Sequence, residues 1–127
     1  MQNIKALFRE EKINKTIENL KNNGFDVVLV NNVEEAEKLT LQEIPRGSSI
    51  SMTGLLQKFR SEEYSFFERF AQPTWEDTVK VMRESLLSDY LVTGTNAITE
   101  GGKLLQVDSG GNRVAGMAYG PKNVIVI

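Results

Sequence analysis

The sequence predicts an α/β fold in which a mostly parallel sheet is flanked by helices and a β-hairpin lies near residues 98–107. Three observations carry that prediction. The runs VVLV at 27–30, YLVTG at 90–94 and NVIVI at 123–127 are too short for helices and read as strands buried on both faces. Stretches with apolar residues at helical spacing alternate with them, the order expected of βαβ units. Two short arms, Ile98–Thr99 and Lys103–Val107, surround the turn EGG.

In chain order, the opening segment sets Ile13, Ile17 and Leu20 on one helical face and then meets Gly24, where a left-handed cap is expected. Val27–Val30 is read as the first buried strand. Asn32 can cap a second helix through VEEAEKLTLQEI, whose buried side is expected from Val33, Ala36, Leu39 and Leu41 or Ile44, and which Pro45 and Gly47 end. SSISMTG reads as a second strand opening into a turn at Gly54, with Leu55, Leu56 and Phe59 suggesting another helical piece. Tyr64, Phe66, Phe67 and Phe70 crowd a segment readable as helix or ordered loop, expected to serve core packing or an oligomer contact. Thr74 and Asp77 form a capping box for a helix carrying Val79, Met82, Leu86 and Leu87, and Trp75 beside it reads first as packing. Residues 112–118 are expected to form a short helix behind a glycine pair before the final strand. There is no internal repeat and no low-complexity linker.

A chain of 127 residues with 40% apolar content suits one compact domain, expected over residues 1–127. A formal net charge of −2 supplies no field that would gather phosphate backbones or anionic membrane surfaces, so nucleic acid and membrane are not expected as partners. The N-terminus has no apolar stretch of signal-peptide length and no window approaches the ~20 apolar residues that span a bilayer, which makes the cytoplasm the default location. Cysteine and histidine are both absent, which excludes disulfides, thiolate-held iron–sulfur clusters, histidine–zinc sites and mechanisms built on a cysteine nucleophile or a histidine base. Carboxylates, lysines, tyrosines and hydroxyls are the remaining reactive groups, and no metal site is expected. The chain stops on its most hydrophobic strand, from which we expect either further chain in the natural protein or a second subunit covering it.

Residues 93–113, TGTNAITEGGKLLQVDSGGNR, hold five glycines, two acids and one arginine. In open α/β sheets, ligands bind outside the carboxyl ends of the strands, so the stretch leaving strand 90–94 is placed for binding. Ser109, Gly110 and Gly111 before a helix could offer successive backbone N–H groups to an anion, with Asn112 and Arg113 beside them. Turn chemistry accounts equally for Gly110 and Gly111, and an ion pair with Asp108 accounts equally for Arg113. Thr93 and Thr99 could contact a ligand or serve as β-formers. Asn96 suits an αL turn or a polar contact. Glu100, at the hairpin corner, is the best-placed candidate general base, although a turn glutamate is ordinarily only solvated.

The run NAITEGGKLLQVDSGGNRVAGMAYGPKNVIVI resembles the LUD-domain, or LutC-like, lactate-utilization proteins. Upstream, SMT at 51–53, FFERF at 66–70 and the acid at 89 extend the likeness over about three quarters of the chain. The resemblance implies the fold of the sugar-isomerase and CoA-transferase superfamily, and a role in L-lactate oxidation beside iron–sulfur subunits. A chain without cysteine would leave those clusters to its partners. It adds Ser51 and Thr53 to the expected ligand-binding residues. The sequence departs from the family in having Ile50 before SMTG, in a shortened spacer after it, and in ending at the VIVI strand, so a shortened or truncated member lacking the C-terminal extension is expected. Superfamily isomerases carry a GAD pattern at a strand end where this sequence has Gly94, Thr95 and Asn96. An amide cannot accept and return a proton as that aspartate does, which favours binding.

Three functional expectations follow. The first is a non-redox component of a lactate-utilization-type system that binds a small anionic metabolite or a partner subunit. The second is an isomerase or acyl-transfer enzyme using Glu100. The third is a structural subunit that forms homo-oligomers through its last strand and its aromatic cluster.

Overall fold

A computed structural model describes residues 2–53 and 63–127, with side chains from Ile4 to Ser51 and from Glu63 onward. In chain order the elements are α1 (Gln2–Asn22), α2 (Val33–Glu43), β1 (Ser49–Thr53), β2 (Ser65–Phe66), α3 (Trp75–Glu84), a 3-10 turn (Ser85–Leu87), β3 (Tyr90–Thr93), β4 (Ala97–Ile98), β5 (Leu104–Leu105), α4 (Asn112–Ala118) and β6 (Asn123–Val126). They fall into two compact units, Met1–Leu29 with Thr95–Gln106, and Val30–Gly94 with Val107–Ile127. The turn at Gly54 and the helical piece expected around Leu55, Leu56 and Phe59 lie outside the described residues.

The first unit joins a helix to a hairpin. Leu20 of α1 is buried and Ile17 half-buried, as the periodicity predicts, while Ile13 remains exposed. Gly24 follows at φ 90°, the left-handed region that glycine enters without a Cβ clash. The amides near the end of α1 then hold the hairpin turn. Asn19 Nδ2 donates to the Glu100 carbonyl at 2.8 Å, and Asn23 Nδ2 donates to those of Gly101 at 3.1 Å and Gly102 at 2.9 Å. The hairpin forms as expected, antiparallel, with Ala97 opposite Leu105 and Ile98 opposite Leu104.

The strand expected at Val27–Val30 does not form. Val28 and Leu29 are 72% and 65% exposed, and the segment pairs with no strand among the described residues. β-branched composition suits a pleated, half-buried surface, but a strand gains stability only from a neighbour's ladder.

The second unit is built on a parallel sheet of order β2-β1-β3-β6. Its fourth strand is the short Ser65–Phe66, which takes the β1 edge with Ile50 opposite Phe66. On the other side of β1, Ile50 faces Tyr90 and Met52 faces Val92. The two central strands are covered on both faces. Ile50 and Val92 form a core with Ile44, against which Leu41, Tyr64, Phe66, Tyr90 and Ile125 pack. Ser51, Leu91 and Thr93 alternate with them along the strands and are also buried.

Helix α2 starts where the sequence predicts, with Asn32 Oδ1 accepting from the Glu35 backbone N–H at 2.8 Å. Its buried side agrees with the expected one at Ala36, Leu41 and Ile44 and adds Thr40, whereas Val33 and Leu39 are exposed. The stripe follows the end of the helix that the chain leaves for β1, where Ile44 can reach Ile50. Helix α3 has its expected cap, Thr74 Oγ1 accepting from the Asp77 N–H at 3.1 Å. Trp75 and Leu87 depart from expectation, at 72% and 84% exposed. The helix gives way to a 3-10 turn at Ser85, and the change of pitch swings Leu87 off the apolar face. No helix among the described residues is long and apolar enough to cross a membrane.

Candidate functional site

The DSGGNR segment folds onto itself. Gly111 takes φ 73° ahead of α4, aiming the backbone N–H groups that follow toward one point. Asp108 occupies that point, its Oδ2 accepting from the Arg113 N–H at 2.7 Å and the Val114 N–H at 3.2 Å. Desolvation pushes the Asp108 carboxyl up, but the backbone donors of Val114, Arg113 and Gly110 together outweigh it and leave the group below its ordinary value. The nest expected to hold a ligand anion therefore holds an anion of this chain. The Arg113 guanidinium turns back to donate Nη2–H to the Val107 carbonyl at 2.6 Å.

Two other expected site residues converge elsewhere in the same unit. Ser51 of β1 and Asn112 at the start of α4 line one small cavity between the helices and the sheet face, together with Arg69, Ser85 and apolar walls from Phe67, Val81, Met82 and Leu91. The cavity offers about 20 Å³ to the centres of water-sized groups. Gly116 makes the close packing of α4 possible, since a Cβ there would lie 2.9 Å from Leu91 Cδ2. Ser51 is buried, and its Oγ accepts from Ser88 Oγ at 2.9 Å while its contact to the Tyr90 carbonyl is a long 3.4 Å. Arg69 lies over the Phe70 ring with its guanidinium carbon 4.5 Å from the centroid. Its Nε is buried and meets no acceptor among the described residues.

Arg69 and Ser85 were missed by reading the sequence. The available signal was an arginine between phenylalanines in FFERF, which composition alone reads as aromatic packing. Thr93, also expected to bind, is buried at the end of β3 with Oγ1 near the Gly94 carbonyl at 3.2 Å. Thr53 sits opposite it in register, and its side chain lies outside the described part.

Asn96, Thr99 and Glu100 belong to the helix–hairpin unit. The Asn96 N–H donates to the Leu105 carbonyl at 3.1 Å, and Thr99 Oγ1 accepts from the Lys103 N–H at 3.1 Å, so both shape the hairpin. Glu100 pairs with Lys15 at 2.9 Å and Lys12 at 3.9 Å. The hydrogen bond from Lys15, and then its charge, hold the Glu100 carboxyl below its ordinary value, which makes it a weaker base.

Asp89 pins the starts of three strands. Its Oδ2 accepts from Ser49 N–H at 2.9 Å and Ser49 Oγ at 2.8 Å, and its Oδ1 from Lys122 Nζ at 2.7 Å. Lys122, then the two Ser49 donors, hold its carboxyl far below the usual carboxylate range. No group of three or more potential metal ligands is present among the described residues. An iron–sulfur cluster would find no thiolate anywhere in the chain.

The fold and its cavity define an α/β protein with a parallel sheet, two helix-covered faces and one cation-lined recess. The model for the LUD domain family matches residues 13–127, and the chain belongs to that family. At the level of the family, this associates it with lactate-utilization-type function. Comparison with curated proteins and with solved structures gave no significant match.

Proposed function

We propose that the chain is a LutC-like, non-redox component of a lactate-utilization-type system and binds a small anionic metabolite on the helix-covered face of its sheet. The observation that carries this reading is the convergence of Ser51 and Asn112 with Arg69 on one recess. A hydroxyl, an amide and a guanidinium beside apolar walls make a donor-rich site for a negative group. The absence of cysteine supports the non-redox part, with iron–sulfur oxidoreductase subunits as the partners that would carry electrons. Thermal melts of the full chain with 2-hydroxy acids, phosphate esters and CoA compounds test it. Stabilisation by at least one class is expected, and it should weaken in Asn112→Ala. A flat response to all three would overturn the small-molecule reading.

A second reading, a structural subunit that self-associates, is favoured by a different observation. Ile4, Leu7 and Phe8 lie at i, i+3 and i+4 on α1 and are all exposed. Sedimentation should show a concentration-dependent dimer that Phe8→Lys disrupts. A monomer at every concentration would remove this reading. The isomerase or acyl-transfer reading rests on Glu100, whose lysine partners hold it ionised and weakly basic. It would require turnover lost in Glu100→Gln with folding intact.

A further inference from the structure

The cavity beside Arg69 has a chemistry more definite than a general preference for anions. Among the described residues no carboxylate lines it, so none of them gives the guanidinium a counter-ion there. The one hydrogen-bonding contact described for Arg69 runs from Nη1 to Met82 Sδ at 3.9 Å, and a thioether is a weak acceptor. The planar group is nevertheless held in orientation by the Phe70 ring. It thus presents a desolvated N–H, Nε–H, for which no described residue provides an acceptor. Ser51 can add a second donor when the Ser88 hydroxyl gives its proton to Ser51 Oγ at 2.9 Å, which leaves Ser51 Oγ–H only the long 3.4 Å contact to the Tyr90 carbonyl. With Ser88 turned to that carbonyl at 3.1 Å, Ser51 donates to Ser88 instead.

Size and polarity then narrow the class. About 20 Å³ for water-sized centres is room for one or two such groups, given the 10–15 Å³ that one water requires. Two oxygens in a plane fit that space; the three terminal oxygens of a phosphoryl group do not. The walls of Phe67, Val81, Met82 and Leu91 also penalise a doubly charged ion more than a singly charged one. An arginine fork matches a carboxylate through two parallel N–H···O bonds.

We propose that this recess receives the carboxylate head of a small monocarboxylic acid, with Arg69 as the specificity-determining residue and Ser51 and Asn112 as additional donors. The proposal rests on the small-anion reading above and narrows it to one chemical class and one cation. Arg69 is assigned by its environment, and nothing in the glycine-rich run 93–113 indicated it.

The test uses the full chain with acetate, L-lactate and inorganic phosphate at matched ionic strength. Affinity is read by titration of the Arg69 Nε–Hε resonance in a proton–nitrogen correlation spectrum, assigned through Arg69→Lys, and by thermal shift. Acetate and lactate should move that resonance saturably and raise the melting temperature, and phosphate should do neither. Arg69→Met should weaken carboxylate binding at least tenfold, while Arg46→Ala, whose exposed guanidinium pairs with Glu63 and does not line the cavity, should leave it within twofold. If Arg69→Met does not fold, the resonance titration of the parent chain decides alone. Binding of phosphate as tight as that of acetate would overturn the carboxylate class while leaving the small-anion reading intact. Carboxylate binding undiminished in Arg69→Met, or without movement of the Arg69 resonance, would overturn this site alone. No response to any anion would sink both.

Discussion

Asp89 illustrates how one side chain can tie together distant parts of the sequence. Its carboxylate bridges Ser49 at the start of β1 and Lys122 just before β6, from its own place before β3. The folded-state value lies below the unfolded one, so its contribution to stability is fully present above about pH 4 and is lost as pH falls through the folded value. Lys122 is raised by the same contact, so its contribution is present below its ordinary value of 10.5 and is lost as pH rises through the folded one. Asp89→Asn should therefore lower the melting temperature at pH 7 and flatten its decline between pH 4 and pH 2. Unchanged melting across that range would show that the bridge contributes nothing. Gly102 is a different case, set by space. At φ 76°, an added Cβ would lie 2.5 Å from the Asn19 carbonyl carbon and 2.6 Å from the Leu20 nitrogen, both backbone atoms. Gly102→Ala combines left-handed strain with that clash and should cost about 3 kcal/mol or more in urea unfolding.

At the scale of elements, α4 depends on an anion at its start. Asp108 satisfies the N–H groups of Arg113 and Val114 that a helix terminus leaves without partners. Asp108→Ala should destabilise the protein by about 1 kcal/mol, with faster amide exchange at Arg113 and Val114. It should also leave those donors open to an added anion, so that high phosphate partly restores the melting temperature. Failure of any anion to do so would show that the nest needs a tethered carboxylate. The helix starts were readable from the sequence because capping is local: Asn32 with Glu35 and Thr74 with Asp77 each act within three residues. Val27–Val30 was misread because its composition is that of a strand while pairing is decided elsewhere. Ser65–Phe66, only two residues long, was unreadable as a strand for the complementary reason.

The molecule as a whole has two compact units whose stability has separate sources. In one, amides of α1 hold a hairpin turn; in the other, a covered parallel sheet surrounds Ile50 and Val92. Ile50 is fully buried, and Ile50→Ala should cost about 2–5 kcal/mol through lost burial and the cavity left behind. Mapped by hydrogen exchange, that loss should appear first in β1 and β3, and that of Gly102→Ala first in residues 95–106. Identical exchange changes in both variants would mean that the chain opens as one cooperative block.

Legible in the order of residues were the α/β class, the hairpin near 98–107, the caps of α2 and α3, the helix at 112–118, and the lack of thiolate and imidazole groups. These are local or compositional properties, settled by residue type, spacing and backbone preference within a few positions. Tertiary structure alone decided the partners of the polar side chains. It turned the Asp108 carboxylate into the anion of its own nest, gave Glu100 to the lysines of α1, and brought Ser51 and Asn112, 61 positions apart in the chain, to a cavity with Arg69. The physical reason is that a hydrogen bond or ion pair is made with whatever packing brings within about 3 Å, and sequence spacing does not encode that distance.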